Sequence, residues 1–310
     1  PFMAWRRRWK DNPAVLLAPV AAAAVVALPW CVMIALSESD FWHYFFWIEH
    51  VKRFTEPGSA QHPEAFWFFV PIILGGALPW TTMFPAAAVG LRKADFKDPL
   101  LRYCICWLAL PFLFFSSSSG KLGTYILPCL PPLAVIVAVG LENYFATGRR
   151  RLFSAAATIT AAVAAMAAVV LIVLQTTDLL GFRLYEPAET AKWLPAAAAL
   201  LAWAVLAGLS AGATDWRRGL ALFCAGPMLF FASTHSAMSR EMEKEKAPEA
   251  FLAANAELVS QDAVLVSDDY VGPAVSWFFK RPDILLVGEG GELQYGLEYP
   301  DTARRLLTVE

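Results

Sequence analysis

The sequence predicts a mostly α-helical protein: a polytopic transmembrane bundle of about seven spans, followed by a small external α/β domain. Three observations carry that prediction. Of the 310 residues, 58% are hydrophobic and only 17% charged, against roughly 45–50% and about 25% in an ordinary soluble domain. The apolar excess is gathered into blocks of about 20 residues, the length a helix needs to cross the hydrocarbon core. Beyond Ser236 the pattern changes to charged residues and short strand-like runs.

The seven blocks are Ala14–Leu36, Phe66–Leu91, Leu100–Ser116, Tyr125–Phe145, Ala155–Gln175, Leu194–Ala213 and Leu220–Ser233. Prolines inside them, such as Pro79, Pro111 and Pro227, are tolerated in membranes because neighbouring groups re-satisfy the freed backbone. Alternate loops carry thirteen Lys and Arg on one side and five on the other, so the richer side is cytoplasmic. An odd number of spans then places the tail outside. The Ala-rich runs Ala155–Ala168 and Ala196–Ala202 read as close helix packing. All five cysteines lie within spans at spacings that suit neither a disulfide framework nor a zinc site. A net charge of −2 argues against a nucleic-acid partner.

Residues 1–235 therefore form the membrane region and 236–310 the external domain. In the latter, Pro248–Val259 has helical apolar spacing, Ala263–Ser267 and Ile284–Val287 are strand-like, and Gly272–Lys280 between them makes a helix. This order predicts a parallel strand pair, with no clear closing strand. Asp268-Asp269 after the first strand stands where α/β folds place ligands, though a solvated loop is the stronger reading.

Two external loops can carry chemistry. Residues 41–54 (FWHYFFWIEHVKRF) are aromatic on most sides, which suits a helix lying in the membrane interface. Wound as an α-helix, they put His43, His50 and Arg53 on one stripe and make Glu49 and Arg53 i,i+4 partners. Imidazole suits a divalent metal and guanidinium a phosphate; a plain aromatic anchor with incidental polar residues is the alternative. His62, just before the next span, can face the same space. The second loop, Ser116–Tyr125 (SSSSGKLGTY), combines hydroxyls, exposed backbone N–H groups and Lys121 at the membrane surface. It lacks Walker spacing, yet suits a lipid-linked phosphate; a flexible turn competes. Glu142 snorkels from its span or pairs with Arg149 or Arg150.

Three stretches carry a resemblance: residues 41–50 continuing to Arg53-Phe54, residues 120–128 (GKLGTYILP) and residues 291–300 (GELQYGLEYP), with Ala60-Gln61-His62 and Phe66-Trp67-Phe68 adding a fourth. They resemble the bacterial lipid A aminoarabinose transferases, within the GT-C class of polyprenyl-phosphate-dependent glycosyltransferases. The resemblance implies a multi-pass enzyme of the bacterial inner membrane whose site and C-terminal domain are periplasmic. It would move 4-amino-4-deoxy-L-arabinose from undecaprenyl phosphate to a lipid A phosphate. It further implies Arg53, Lys121 and Tyr125 as carrier-phosphate ligands, a divalent metal ion on His50, and His43, Lys52 and His62 as further candidates. Two departures stand out. Ser119 and Gly123 replace the family's usual Lys and Pro, and no acidic pair matches the catalytic acids of the family's N-terminal half. Glu49 is the only acid in the first stretch, and it is not assigned as a base. With Pro1 as first residue, the chain reads as part of a longer protein, its catalytic base expected upstream and the chain alone inactive. The competing readings are a relative with another sugar or a protein acceptor, a lipid transporter or flippase, and a silent membrane scaffold.

Overall fold

The computed structural model describes residues 14–55, 62–177, 183–234, 237–239, 247–288 and 290–307. All seven apolar blocks lie on helices. α1 is Ala14–Ser37, and α2 is the helical stretch from Phe41 to Thr55. α3 (Phe69–Gly76) and α4 (Phe84–Leu91) share the second block. α5 is Pro99–Ser117, α6 Leu130–Ala146, α7 Arg151–Thr176, α8 Thr190–Gly212 and α9 Trp216–Thr234. Among the described residues, five helices are long and apolar enough to cross a membrane, or six if the second block counts as one. α9, which carries the last block Leu220–Ser233, opens with Trp216-Arg217-Arg218 and is not among them.

The second block is not one straight span. Its two halves meet at 97°, because Pro79 lacks an N–H and holds the preceding residue away from helical geometry. The freed carbonyls find hydroxyls: Thr81 Oγ1 donates to Leu74 O at 2.5 Å and Thr82 Oγ1 to Pro79 O at 2.8 Å. Such replacement is required where no water is present. Val26, Leu36 and Met166 are 81%, 82% and 65% exposed, apolar faces that water covers unfavourably.

The chain divides into two compact units, 1–163 with 204–227, and 164–203 with 228–310. In the first, α4 and α6 cross at Gly90 and Gly140. A Cβ on Gly90 would lie 1.8 Å from the Gly140 carbonyl oxygen, and one on Gly140 2.5 Å from that of Ala87. Only a bare backbone permits this approach. Met83, Ala87, Leu141, Tyr144, Phe153 and Phe223 form the surrounding core. The buried Ala156, Ala157, Ala164, Ala168, Ala196 and Ala197 match the packing role read from the Ala-rich runs.

In the second unit, α10 (Glu249–Asn255) and α11 (Gly272–Phe279) cover one face of a parallel sheet in the order β1 (Val266–Ser267), β2 (Leu285–Val287), β3 (Leu306–Leu307). The third strand corrects the expected pair. Its Leu306-Leu307 run is too short to stand out by composition and is recruited by backbone pairing to Leu286 and Val287. Leu252, Leu265, Val275 and Ile284 make the core beneath the helices. Arg281 ties the strands together: it grips Asp283 through two bonds of 2.9 and 2.7 Å and donates to Ala263 O at 2.8 Å. The guanidinium holds the Asp283 carboxyl down to about 2.

Candidate phosphate site

The aromatic segment α2 starts and ends as α-helix (Phe41–His43 and Arg53–Thr55), but Tyr44–Lys52 is a π-helix. Its hydrogen bonds run between residues five apart, and its side chains pair at the same interval. Tyr44 Oη donates to Glu49 Oε1 at 2.6 Å, and His50 Nδ1 lies 2.6 Å from Phe45 O with the two rings 4.5 Å apart. A carbonyl can only accept, so Nδ1 donates to it, and in the neutral imidazole Nε2 then keeps its lone pair. The wider winding breaks the α-helical alignment of His43 with His50; both are exposed, and of the two His50 lines a cavity.

That cavity, about 620 Å³, is walled by α2, the end of α5, His62 and the loop that follows α5. It brings together His50, His62, Lys121 and Tyr125, with Glu49 on the same wall. Phe45, Phe54, Phe114 and Phe115 supply apolar lining, and Phe54 packs on Phe114 at 5.2 Å. Lys52 is half-buried outside the lining. Arg53 lies on the last α-helical turn of α2; its side chain, like residues 56–61 with Gln61, is outside the described residues.

Lys121 is 4% exposed. Its Nζ donates to Glu64 O at 2.8 Å and Ser118 O at 2.5 Å, which leaves one of three N–H groups. The backbone reinforces the clasp: Lys121 N donates to His62 O at 2.9 Å, Ser119 N to Phe54 O at 3.0 Å, and Pro63 and Gly120 form an antiparallel bridge. Among the described residues the Lys121 ammonium is bound to neutral carbonyls and to no carboxylate, which suits an anion alongside. Tyr125 sits on a 3-10 segment, Gly123–Cys129, that leads into α6, and its ring packs on Phe115 at 5.2 Å.

The donor set fits a phosphate better than a metal. Among the described residues no three His, Cys, Asp or Glu side chains gather to hold an ion; Glu49 is engaged by Tyr44, and His50 offers a single nitrogen. Sequence reasoning missed the Glu64 and Ser118 carbonyls and the Tyr44–Glu49 pair. Nothing in composition signals a carbonyl 57 residues away, whereas the five-residue interval was legible as Tyr–Glu and Phe–His repeats. Glu142 lines a second, almost wholly apolar cavity of about 830 Å³ with Trp80, Phe84, Leu130, Leu141 and Trp216. Arg150, its suggested partner, donates instead to Ala213 O at 2.7 Å.

Residues 243–310 match the family described as arabinosyl transferase ArnT, C-terminal domain. The whole chain is 38% identical to the undecaprenyl phosphate-alpha-4-amino-4-deoxy-L-arabinose arabinosyl transferase of Erwinia tasmaniensis, covering 56% of that protein. With the enzyme of the same name from Shewanella sediminis it is 36% identical over 98% of its length, covering 55% of that protein. The chain thus spans about half the length of the curated relatives it matches. The crystal structure of ArnT from Cupriavidus metallidurans bound to undecaprenyl phosphate shares the fold over 99% of this chain and 53% of that one, with a TM-score of 0.67 at 22% identity. Its apo form gives 0.65 at 21%. Spans and relatives together make this a multi-pass inner-membrane protein. Along its full length, then, the chain is similar to the ArnT arabinosyl transferases, and residues 243–310 match their C-terminal domain.

Proposed function

We propose that this chain supplies the carrier-phosphate side of an enzyme that moves 4-amino-4-deoxy-L-arabinose from undecaprenyl phosphate to a lipid A phosphate, on the periplasmic face of the inner membrane. The observation that carries the reading is the 620 Å³ cavity in which Lys121, Tyr125, His50 and His62 converge at the ends of apolar helices. Thirteen basic residues on the opposite side support a periplasmic placement of this cavity and of the C-terminal domain.

Transfer of the sugar breaks its bond to the carrier phosphate, and negative charge grows on the departing phosphate oxygens. Groups already fixed around those oxygens lower the barrier most, because no reorganisation is needed as the charge appears. Lys121 is fixed by two carbonyls and offers its remaining N–H. Tyr125 brings a hydroxyl, and the phenylalanine lining keeps bulk water from competing. The backbone of α2 brings Arg53 within a turn of His50, where a guanidinium can take a phosphate bidentately. A divalent ion bound here would add further positive charge, with His50 Nε2 as the nitrogen offered to it; no step depends on it. The catalytic acid or base is assigned to the part of the relatives' length that this chain does not cover.

The test is made in the full-length protein. His50→Ala, Arg53→Ala and Lys121→Met should each abolish sugar transfer to lipid A while the protein still inserts and folds. Near wild-type lipid A modification by these variants would overturn the assignment. Retention of undecaprenyl phosphate binding with transfer to another acceptor would replace lipid A in the reading.

A further inference from the structure

The winding of α2 and the position of His50 cannot be separated. Along an α-helix, seven residues at 100° each leave His43 and His50 about 20° apart around the axis. Along a π-helix of about 4.4 residues per turn, the same seven leave them about 145° apart. The structure shows the second arrangement: His50 lines the phosphate cavity and His43 does not. The amino-acid order is thus compatible with two windings of one segment, and they present different side chains to the cavity.

A nine-residue π-helix is unusual, because such helices occur mostly as single turns; something must hold it. Two contacts span its five-residue interval, the Tyr44 Oη–Glu49 Oε1 bond of 2.6 Å and the His50 Nδ1–Phe45 O contact of 2.6 Å. Glu49 stands on the wall of the same cavity. With Tyr44 as its donor, the carboxylate serves as a fixed acceptor one π-turn away. Resting on the phosphate-site reading, we infer that Tyr44 and Glu49 are positioning residues, whose hydrogen bond sets the five-residue winding that delivers His50, in its Nδ1-protonated tautomer, to the cavity. Glu49 acts here through its acceptor oxygen, not its charge, and takes no part in proton transfer.

The experiment uses the full-length protein in phosphatidylcholine nanodiscs, with ¹⁵N-labelled histidine. His50 is assigned by the signal lost in His50→Gln, and binding is titrated with undecaprenyl phosphate. The wild type should show His50 protonated on Nδ1 with a bare Nε2. Tyr44→Phe and Glu49→Ala should shift that signal toward the Nε2-protonated form and weaken undecaprenyl phosphate binding about tenfold, the scale of a hydrogen bond to a charged acceptor. Glu49→Gln keeps the accepting oxygen and removes the charge. It should retain the wild-type tautomer and bind at least as tightly as wild type. A wild-type signature in Tyr44→Phe would overturn the positioning role. So would Glu49→Gln as impaired as Glu49→Ala, which would assign the work to the charge. If the tautomer responds as expected but the wild type binds no undecaprenyl phosphate, the positioning stands and the phosphate-site reading fails.

Discussion

Gly90→Ala is the sharpest test of how the membrane region is packed. The added methyl would sit 1.8 Å from Gly140 O, 2.6 Å from Tyr144 N and 2.8 Å from Gly140 C. Non-bonded carbons settle at about 3.5 Å or more, so α4 and α6 must part by about 1.5 Å. No rotamer change relieves this, since all three neighbours are backbone. A radial gap of 0.5–1 Å already forfeits about a quarter to a half of the dispersion attraction, and the loss falls on Met83, Ala87, Leu141 and Tyr144 together. The expected cost is about 3 kcal/mol, the upper part of the range for overpacked cores. The matching control is Gly208→Ala within α8, where nothing lies within 4 Å of the new methyl. There, helix propensity alone should stabilise by about 0.5–1 kcal/mol. Both variants are compared in the full-length protein by reversible unfolding in bicelles. Equal stabilities would refute the backbone contact and with it the crossing that supports α6 beneath Tyr125.

Lys121→Met removes the ammonium from Glu64 O and Ser118 O and should cost about 2 kcal/mol, read by the same unfolding assay; Lys121→Arg should recover only part of it, because a planar fork cannot follow the ammonium's geometry. In the C-terminal domain, Asp283 has a folded pKa of about 2, below the usual value of about 3.9. Its ionic contribution is therefore complete at neutral pH, begins to fade below about pH 4 and is gone below about pH 2. Acid titration of stability should show that limb in the wild type and lose it in Asp283→Asn. Arg281→Ala should loosen β1 against β2 by freeing Ala263 O, seen as faster amide exchange at Leu285, whose N–H bonds to Leu265 O at 2.9 Å. Finally, this chain by itself should transfer no sugar; turnover by it would place the missing acid or base within residues 1–310.

The spans and the first strand pair were legible because each follows from a repeating local pattern. Twenty apolar residues have few alternatives to a membrane helix, and the runs Ala263–Ser267 and Ile284–Val287 alternate with the helical stretch Gly272–Lys280 as a βαβ unit requires. The bend at residues 76–80 was written there too, as Gly75-Gly76 followed by Pro79, but a continuous hydropathy run conceals it. His50, Lys121 and Tyr125, each picked out singly in the sequence, line one cavity. Their assembly was not legible there. It depends on a clasp between residues 62–64 and 118–121, which belong to separate loops, and on the winding of α2, where an α-period stripe is a false regularity. The phase of a pattern reports structure only if the helix type assumed in reading it is the one formed.

The 3-10 segment Gly123–Cys129 borders both cavities: Tyr125 faces the charged one, and Leu127 two residues later faces the apolar one. It is a partition barely one turn thick between the cavity that holds Lys121 and the one lined by Trp80 and Leu130. Whatever enters either compartment is sensed by the same few peptide groups. Substitutions at Gly123 or Pro128, which touch neither compartment's chemistry, should therefore disturb polar and apolar recognition together rather than one at a time.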